Sequence, residues 1–371
     1  MFKKFLKSLI NFIKFYKIHE NKKDFIFYSE SRFYREHFID LLDIFIKQNQ
    51  KNIIFVTSDE EDYFFFKDKL KCFYIENFFI LSLFFKTLNC KFMIMTLTDL
   101  GNHLQKSIKC KKYIYFFHAL ASTHEIYTNT AFKNYDIVLT NGEYQAAELR
   151  SAEKNLNFPK KEIVNTGYFF LDYMKRKAEL NNRQNLNILF APSWNYKKKN
   201  LFDDHAVDII SKLLSNNFIV TLRPHPEHYK RSINTINQVK KNFLDKKNFF
   251  LDKNKSNLKS LEKAEILITD NSSIVCEFVL IFERPIIYLD YEIKIHNKDR
   301  SKIPITSLDE DFRKTFGNII NVNNLDTLPS LCKNLISKND INKEEVENFK
   351  TKYLSNIGTS AKFAAEYLIK K

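Results

Sequence analysis

Four short polar clusters, each following an apolar strand-like run, carry the residues that could handle a phosphorylated substrate. In Phe116-Phe117-His118-Ala119 a histidine closes an aromatic run, and a neutral imidazole can take the proton of a hydroxyl near neutral pH. In Ala191-Pro192-Ser193-Trp194-Asn195 the proline ends the run and the chain's single Trp follows. That ring is placed either for a base or ribose contact or for packing in a turn. Arg223-Pro224-His225-Pro226 sets a cation and an imidazole on a backbone stiffened by two prolines, a rigid presentation suited to phosphate. Thr269-Asp270-Asn271-Ser272-Ser273 stands where an apolar helix containing Glu277 begins. The amides and dipole of that helix start can hold a phosphate, which is compatible with capping by Asp270, Ser272 or Ser273. No H-E-x-x-H motif or Cys/His cluster occurs, so neither a metal nor a cofactor is expected.

Elements that could position these clusters follow one another rhythmically. Strands are expected at Phe25–Tyr28, Asn52–Val56, Phe92–Thr96, Tyr113–Phe117, Tyr135–Thr140 and Glu162–Asn165, with helices at Phe33–Gln48 and Glu143–Lys154. After a polar linker, Lys175–Asn185, the rhythm restarts with strands at Asn187–Phe190, Phe218–Leu222, Asn248–Leu251, Ile266–Thr269 and Pro285–Leu289 and helices at Ala206–Leu214 and Asn234–Leu244. Alternation of this kind predicts an α/β chain of two doubly wound parallel sheets. Such sheets bind ligands at their carboxyl-end loops, here expected to face a shared cleft. The expected organisation is a helix over 1–20, a first parallel-sheet domain over 21–180, and a second one with C-terminal helices over 181–371.

Composition removes several classes of function. Five glycines, Gly101, Gly142, Gly167, Gly317 and Gly358, fit neither G-x-G-x-x-G nor G-x-x-x-x-G-K-[ST], which argues against a dinucleotide loop and a Walker-type NTPase. Five cysteines without a C-x-x-C pair suit buried thiols in a reducing compartment. A formal charge of +15 calls for an anionic partner. Phe2, Phe5, Leu6, Leu9, Phe12, Ile13 and Tyr16 recur at helical spacing, with Lys3, Lys4, Lys7 and Lys14 largely on another face. This predicts a basic amphipathic helix, too interrupted to span a bilayer, that lies on an anionic inner leaflet or packs onto the protein's own core.

In order and spacing the clusters resemble those of the CDP-glycerol glycerophosphotransferases, the teichoic-acid-type polymerases and primases of GT-B-like fold. His118 matches the family's His-Gly histidine with Ala119 in place of Gly; Ala191-Pro192-Ser193-Trp194 and Arg223-Pro224-His225-Pro226 match two further turns; Thr269–Ser273 matches a fourth, with Asn271 in place of Tyr. The resemblance implies that His118 deprotonates an acceptor hydroxyl and that His225 stabilises the leaving charge. It places Arg223, Trp194, Thr269, Asp270, Ser272, Ser273 and Glu277 around a CDP-glycerol or related CDP-polyol donor. It also implies a lipid-linked or polymeric acceptor, and a peripheral location on the cytoplasmic face of the inner membrane.

Rival readings are a GT-B nucleotide-sugar glycosyltransferase, a non-hydrolysing UDP-sugar epimerase, a non-catalytic scaffold, and a nucleic-acid-binding protein. The epimerases carry Gly-Gly after the fourth-cluster serine, which Asn271-Ser272-Ser273 lacks. No RNP-like, zinc-finger or continuous basic-helix motif is present, so no specific nucleic acid is expected.

Overall fold

The computed structural model describes residues 2–48, 50, 52–102, 104–180, 185–195, 200–292, 295–338 and 341–371. Two compact units are built from them, each around one parallel sheet. The first sheet has strands β1 (Phe25–Ser29), β2 (Ile53–Thr57), β3 (Lys71–Tyr74), β4 (Cys90–Met95), β5 (Cys110–Phe116), β6 (Ile137–Thr140) and β7 (Glu162–Asn165), in the order β3-β2-β1-β4-β5-β6-β7. The second has β8 (Asn187–Phe190), β9 (Ile219–Leu222), β10 (Phe249–Leu251), β11 (Ile266–Thr269), β12 (Ile286–Asp290) and β13 (Gly317–Asn321), in the order β10-β9-β8-β11-β12-β13.

Continuous apolar runs make these strands parallel and central, because helices cover both faces. Alternate residues divide between two cores: Ile26, Tyr28, Ile54, Val56, Met93 and Met95 on one face, Phe25, Phe27, Phe55, Phe92 and Ile94 on the other. The second face is where much of the phenylalanine goes. Its rings meet edge to face, as Phe38 and Phe116 do at 4.9 Å between centroids, the arrangement the ring quadrupoles favour.

Strands and helices predicted from sequence are present, with ends shifted by a few residues. The edge strands β3 and β13 were not foreseen; Lys71 and the Gly-Asn-Ile-Ile-Asn run lack the apolar continuity of a buried strand. The expected linker is corrected at its start, since Lys175–Lys177 close the helix Phe169–Lys177; residues 181–184 lie outside the described residues.

The domain division also differs from expectation. The first unit comprises residues 1–173, 296–305 and 353–371, the second 174–295 and 306–352. The chain therefore re-enters the first unit twice. In the earlier return, the backbone N–H groups of His296 and Asn297 donate to the Glu125 carbonyl at 2.9 and 3.1 Å, and Arg300 reaches the Glu125 carboxylate at 3.2 Å. In the later one, residues 353–355 cross so close to the ends of β6 and β7 that a Cβ on Gly142 would lie 1.9 Å from the Tyr353 carbonyl oxygen. A Cβ on Gly167, whose φ is +94°, would lie 2.2 Å from that of Ser355.

The helix Ser360–Lys370 then buries Ala361, Ala364, Ala365 and Leu368 in the phenylalanine-rich face, beside the helix Arg35–Lys47. Its start is fixed by Asp172, buried, which accepts from the N–H groups of Gly358 at 2.7 Å and Ser360 at 3.1 Å and from the Ser360 hydroxyl.

The N-terminal helix Phe2–Tyr16 packs one side onto the core of the first unit, as one of its two expectations has it. Phe15 and Ser8 are fully buried, with Leu9, Phe12 and Tyr16 packed around the same core, while Phe5, Leu6, Ile10 and Ile13 are exposed. Among the described residues no helix is long and apolar enough to cross a membrane.

The Asp172 contacts yield a stability prediction. Asp172→Ala should cost about 2–3 kcal/mol, because three donors lose a charged acceptor in a buried place. Urea unfolding measures this, and Ser360→Ala should lose less, since the two backbone bonds survive.

Candidate active site

Both sheets share the order 3-2-1-4-5-6 in their first six strands, so each reverses direction between its first and fourth strands, where a crevice opens at the carboxyl edge. In the second unit the predicted clusters follow β8, β9 and β11 and meet along that edge. The Asp270 carboxylate bridges the reversal, accepting from the Ser193 N–H at 2.7 Å and the Ser193 hydroxyl at 2.8 Å. Thr269 donates its hydroxyl to the Ala191 carbonyl at 2.7 Å. Both residues are buried, so they hold the strand ends together rather than offering polar atoms to a ligand.

With Asp270 engaged in this way, the helix Ile274–Phe282 begins without a side-chain cap; its first flanking residue is Ser273. The amides of the turn at Ser272 and Ser273 and the positive end of the helix are thereby left to an anion. Asn271, the departure from Tyr, donates to the Glu292 carbonyl at 3.2 Å. Glu277, expected at the donor, is buried within the first turn of this helix.

His225 is exposed, and its Nδ1 accepts from the Glu227 N–H at 3.2 Å. A neutral ring so held carries its proton on Nε2, which makes Nε2 a donor. Beneath it lies Trp194, only 8% exposed, stacked on the imidazole at 6.3 Å and 21°, with the Arg231 guanidinium 5.2 Å from the indole. Trp194 thus supports the histidine instead of presenting an open face to a base. Arg223 directs Nη1 to Asp252 at 2.5 Å and Nη2 to the Lys255 carbonyl at 3.0 Å. Its role here is to pin the loop after β9.

In the first unit His118 stands two residues beyond β5. The turn is fixed from two sides: Tyr168 donates its phenol to the His118 carbonyl at 3.2 Å, and Asn141 donates to the Ala119 carbonyl at 3.0 Å. Ala119 has no positive φ, so a side chain where the family has glycine brings no backbone strain. Tyr34 meets the imidazole at 4.9 Å between centroids, and His37 lies at 6.2 Å.

His118 Nδ1 is buried with no hydrogen-bond partner among the described residues, and burial lowers the imidazole to about 4. His37 is lowered as well, first by burial and then by the charge of His118. Both rings are therefore neutral at pH 7. Sequence reasoning missed Tyr34 and His37, which precede and occupy an ordinary amphipathic helix; only the folding of the β1 connection over β5 distinguishes them.

A sequence model of the CDP-glycerol:poly(glycerophosphate) glycerophosphotransferase family matches residues 16–357. No curated protein sequence matches the chain. Among solved structures, the wall teichoic acid polymerase TagF is similar over 100% of this chain and 98% of its own, with a TM-score of 0.61 and 14% identity. A UDP-GlcNAc 2-epimerase from Neisseria meningitidis bound to UDP-GlcNAc covers 94% and 99%, with a TM-score of 0.60 and 12% identity. A glycosyltransferase from Rickettsia africae also covers 94% and 99%, with a TM-score of 0.51 and 12% identity. At these identities the likeness establishes the fold, two parallel-sheet units of the GT-B-like class.

The neutral histidines have a consequence for stability. Unfolded imidazoles titrate near 6.5, whereas His118 resists protonation down to about 4, so in that interval the unfolded state binds more protons. Stability from this source is complete above pH 6.5 and declines as pH falls toward 4. A His37→Phe variant should show a shallower fall in Tm between about pH 7 and about pH 4.5 than the parent, measured by calorimetric scans.

Proposed function

This chain belongs to the CDP-glycerol:poly(glycerophosphate) glycerophosphotransferase family and is a CDP-glycerol-dependent glycerophosphotransferase; we propose that it primes or extends a teichoic-acid-type polymer, with His118 as base and the carboxyl edge of the second unit as donor site. The observation that carries this assignment is the Asp270–Ser193 bridge, which leaves the helix start at Ser272 and Ser273 without a side-chain cap, while Trp194, next to Ser193, stacks on His225. An acceptor oxygen attacks the phosphorus that bears glycerol, its proton passing to Nε2 of His118. The bond from that phosphorus to the bridging oxygen breaks, CMP departs, and the helix amides with the Nε2–H of His225 stabilise the charge it takes away.

The basic N-terminal helix supports a peripheral place on the anionic cytoplasmic leaflet, beside a lipid-linked or polymeric acceptor. It lies against the helix Phe78–Thr87, running the same way. Ser8 accepts from the N–H groups of Glu76 and Asn77 at 3.1 and 3.0 Å, and Tyr16 meets Thr87 at 2.6 Å. Leu6, Ile10 and Ile13 on the first helix and Phe78, Phe79 and Leu83 on the second are exposed, an apolar area accompanied by exposed Lys3, Lys14, Lys17 and Lys86 or partly exposed flanks. Apolar insertion with flanking cations is how a protein rests on an anionic bilayer.

Two measurements test these assignments. Calorimetry should show wild-type protein binding CDP-glycerol in preference to CMP and UDP-GlcNAc. His118→Ala should keep that affinity within about threefold while losing on the order of 100-fold or more in kcat; full turnover by the variant overturns the base assignment. Sedimentation with phosphatidylglycerol vesicles should pellet the wild type and leave a Leu6→Ser/Ile10→Ser/Ile13→Ser variant in the supernatant. Equal pelleting would place membrane contact elsewhere.

A further inference from the structure

One face of the first sheet holds a pair of nucleophiles that the transfer reaction does not use. Cys90 opens β4, Cys110 opens β5, and the two are partners in the register of those strands. Partners in a parallel ladder carry their side chains to the same face, and both thiols enter the same core. Cys90 Sγ donates to Cys110 Sγ at 3.3 Å, and Cys110 Sγ in turn reaches the Lys112 carbonyl at 3.6 Å. Of the remaining cysteines, Cys72 packs against the opposite core, and Cys276 and Cys332 belong to the second unit.

The pair lies at the amino edge of the sheet. Lys109, Lys111 and Lys112 around Cys110 are exposed, and Cys110 itself is 7% exposed against 4% for Cys90. The seven residues of β5 run from Cys110 to Phe116, about 20 Å of extended chain, and His118 stands beyond the far end. A cation accompanies the thiols. The Lys23 carbonyl accepts from the N–H of Lys91, the residue after Cys90, at 3.1 Å. Its buried ammonium lies over the rings of Phe15 at 4.6 Å and Tyr16 at 5.1 Å. Burial raises the Cys90 thiol, the neighbouring Cys110 adds to the rise, and the charge of Lys23 opposes both.

We propose that Cys90 and Cys110 are a reversible thiol–disulfide couple, oxidised by peroxide to a bond that joins the starts of β4 and β5. It is independent of the transferase reading above. Neighbouring strands lie about 4.8 Å apart, within the roughly 4.4–6.8 Å that a disulfide spans between Cα atoms, so the ladder need not open. Peroxide meets Cys110 first, as the more exposed of the two. The Cys110 sulfur attacks one peroxide oxygen, the S–O bond forms as the O–O bond breaks, and water leaves behind a sulfenic acid. Cys90 then gives up its proton, a step that the Lys23 charge favours, and its thiolate attacks the Cys110 sulfur. The S–S bond forms, the S–O bond breaks, and the departing hydroxide leaves as water with the Cys90 proton. Two thiols are oxidised and one peroxide is reduced to two waters. A sulfenic acid held beside a second thiol is thereby diverted from the irreversible sulfinic stage, and a dithiol reductant restores the pair.

For the test, the folded full chain is treated with hydrogen peroxide, its remaining thiols are blocked with iodoacetamide in denaturant, and its peptides are mapped without reduction by mass spectrometry. The expected product is a Cys90–Cys110 crosslink, lighter by two hydrogens than the separate peptides, with Cys72, Cys276 and Cys332 alkylated. Dithiothreitol should return both thiols. Full alkylation of Cys90 and Cys110 after peroxide would overturn the couple, and so would their recovery as sulfinic acids or in crosslinks to other cysteines.

Two variants separate the roles. Cys90→Ala lacks the attacking thiol and should leave Cys110 as a sulfenic acid that a 1,3-diketone traps, with at least about tenfold more adduct than the wild type gives. Equal trapping in the two proteins would overturn the role of Cys90. Lys23→Met should slow crosslinking several-fold, and an unchanged rate would overturn the part given to Lys23. The wild-type map decides the couple by itself, even where a variant fails to fold.

Discussion

Every strand in both sheets runs parallel to its neighbours, and a parallel ladder has one property that an antiparallel one lacks: all its carboxyl ends fall on the same edge. Polar residues scattered over long stretches of sequence are thereby gathered into a row without any contact between them being needed to assemble it. What the local contacts do is tune that row. In the second unit the carboxylate of Asp270 is used up by Ser193, and the following helix starts without a side-chain cap. Replacing that bridge with a self-capping serine or aspartate would leave the strands in place and close the proposed anion site.

The two units use the same topology for opposite electrostatic ends. The carboxyl edge of the second unit combines a helix start, an exposed histidine with a defined donor nitrogen, and cations already paired to carboxylates, such as Arg223 with Asp252. Those cations shape the loop while contributing little net field. The edge around His118 is aromatic and low in charge. Burial keeps its imidazole neutral, which is the form a base must have before it accepts a proton, at the cost of a lower proton affinity than an exposed histidine would have.

Much of this was legible in the sequence because buried parallel strands are written as uninterrupted apolar runs. Phe25–Tyr28 and Ile266–Thr269 are read almost to the residue, and the clusters that follow such runs can be named from the sequence alone. What was not legible depends on the third dimension. Thr269, Glu277 and Trp194 look like ligand contacts by position in a motif, yet all three are buried, and Thr269 and Trp194 support neighbouring residues. Tyr34 and His37 carry no motif at all. The returns of residues 296–305 and 353–371 to the first unit were hidden because their signal lies in what they touch, such as the two glycines whose missing Cβ atoms make room for residues 353–355.

That last return has a bearing on how the protein is made. The helix Ser360–Lys370 covers apolar surface of the first unit, but its residues follow the whole of the second unit along the chain. During synthesis the first sheet and its helices leave the ribosome early and must wait, with part of the phenylalanine-rich face uncovered, until the rest of the polypeptide has been added. The second unit behaves as an insertion that can complete itself in the meantime. Closure of the first unit is therefore a late event, coupled to translation, and the interval before it is when the nascent chain is most in need of a chaperone.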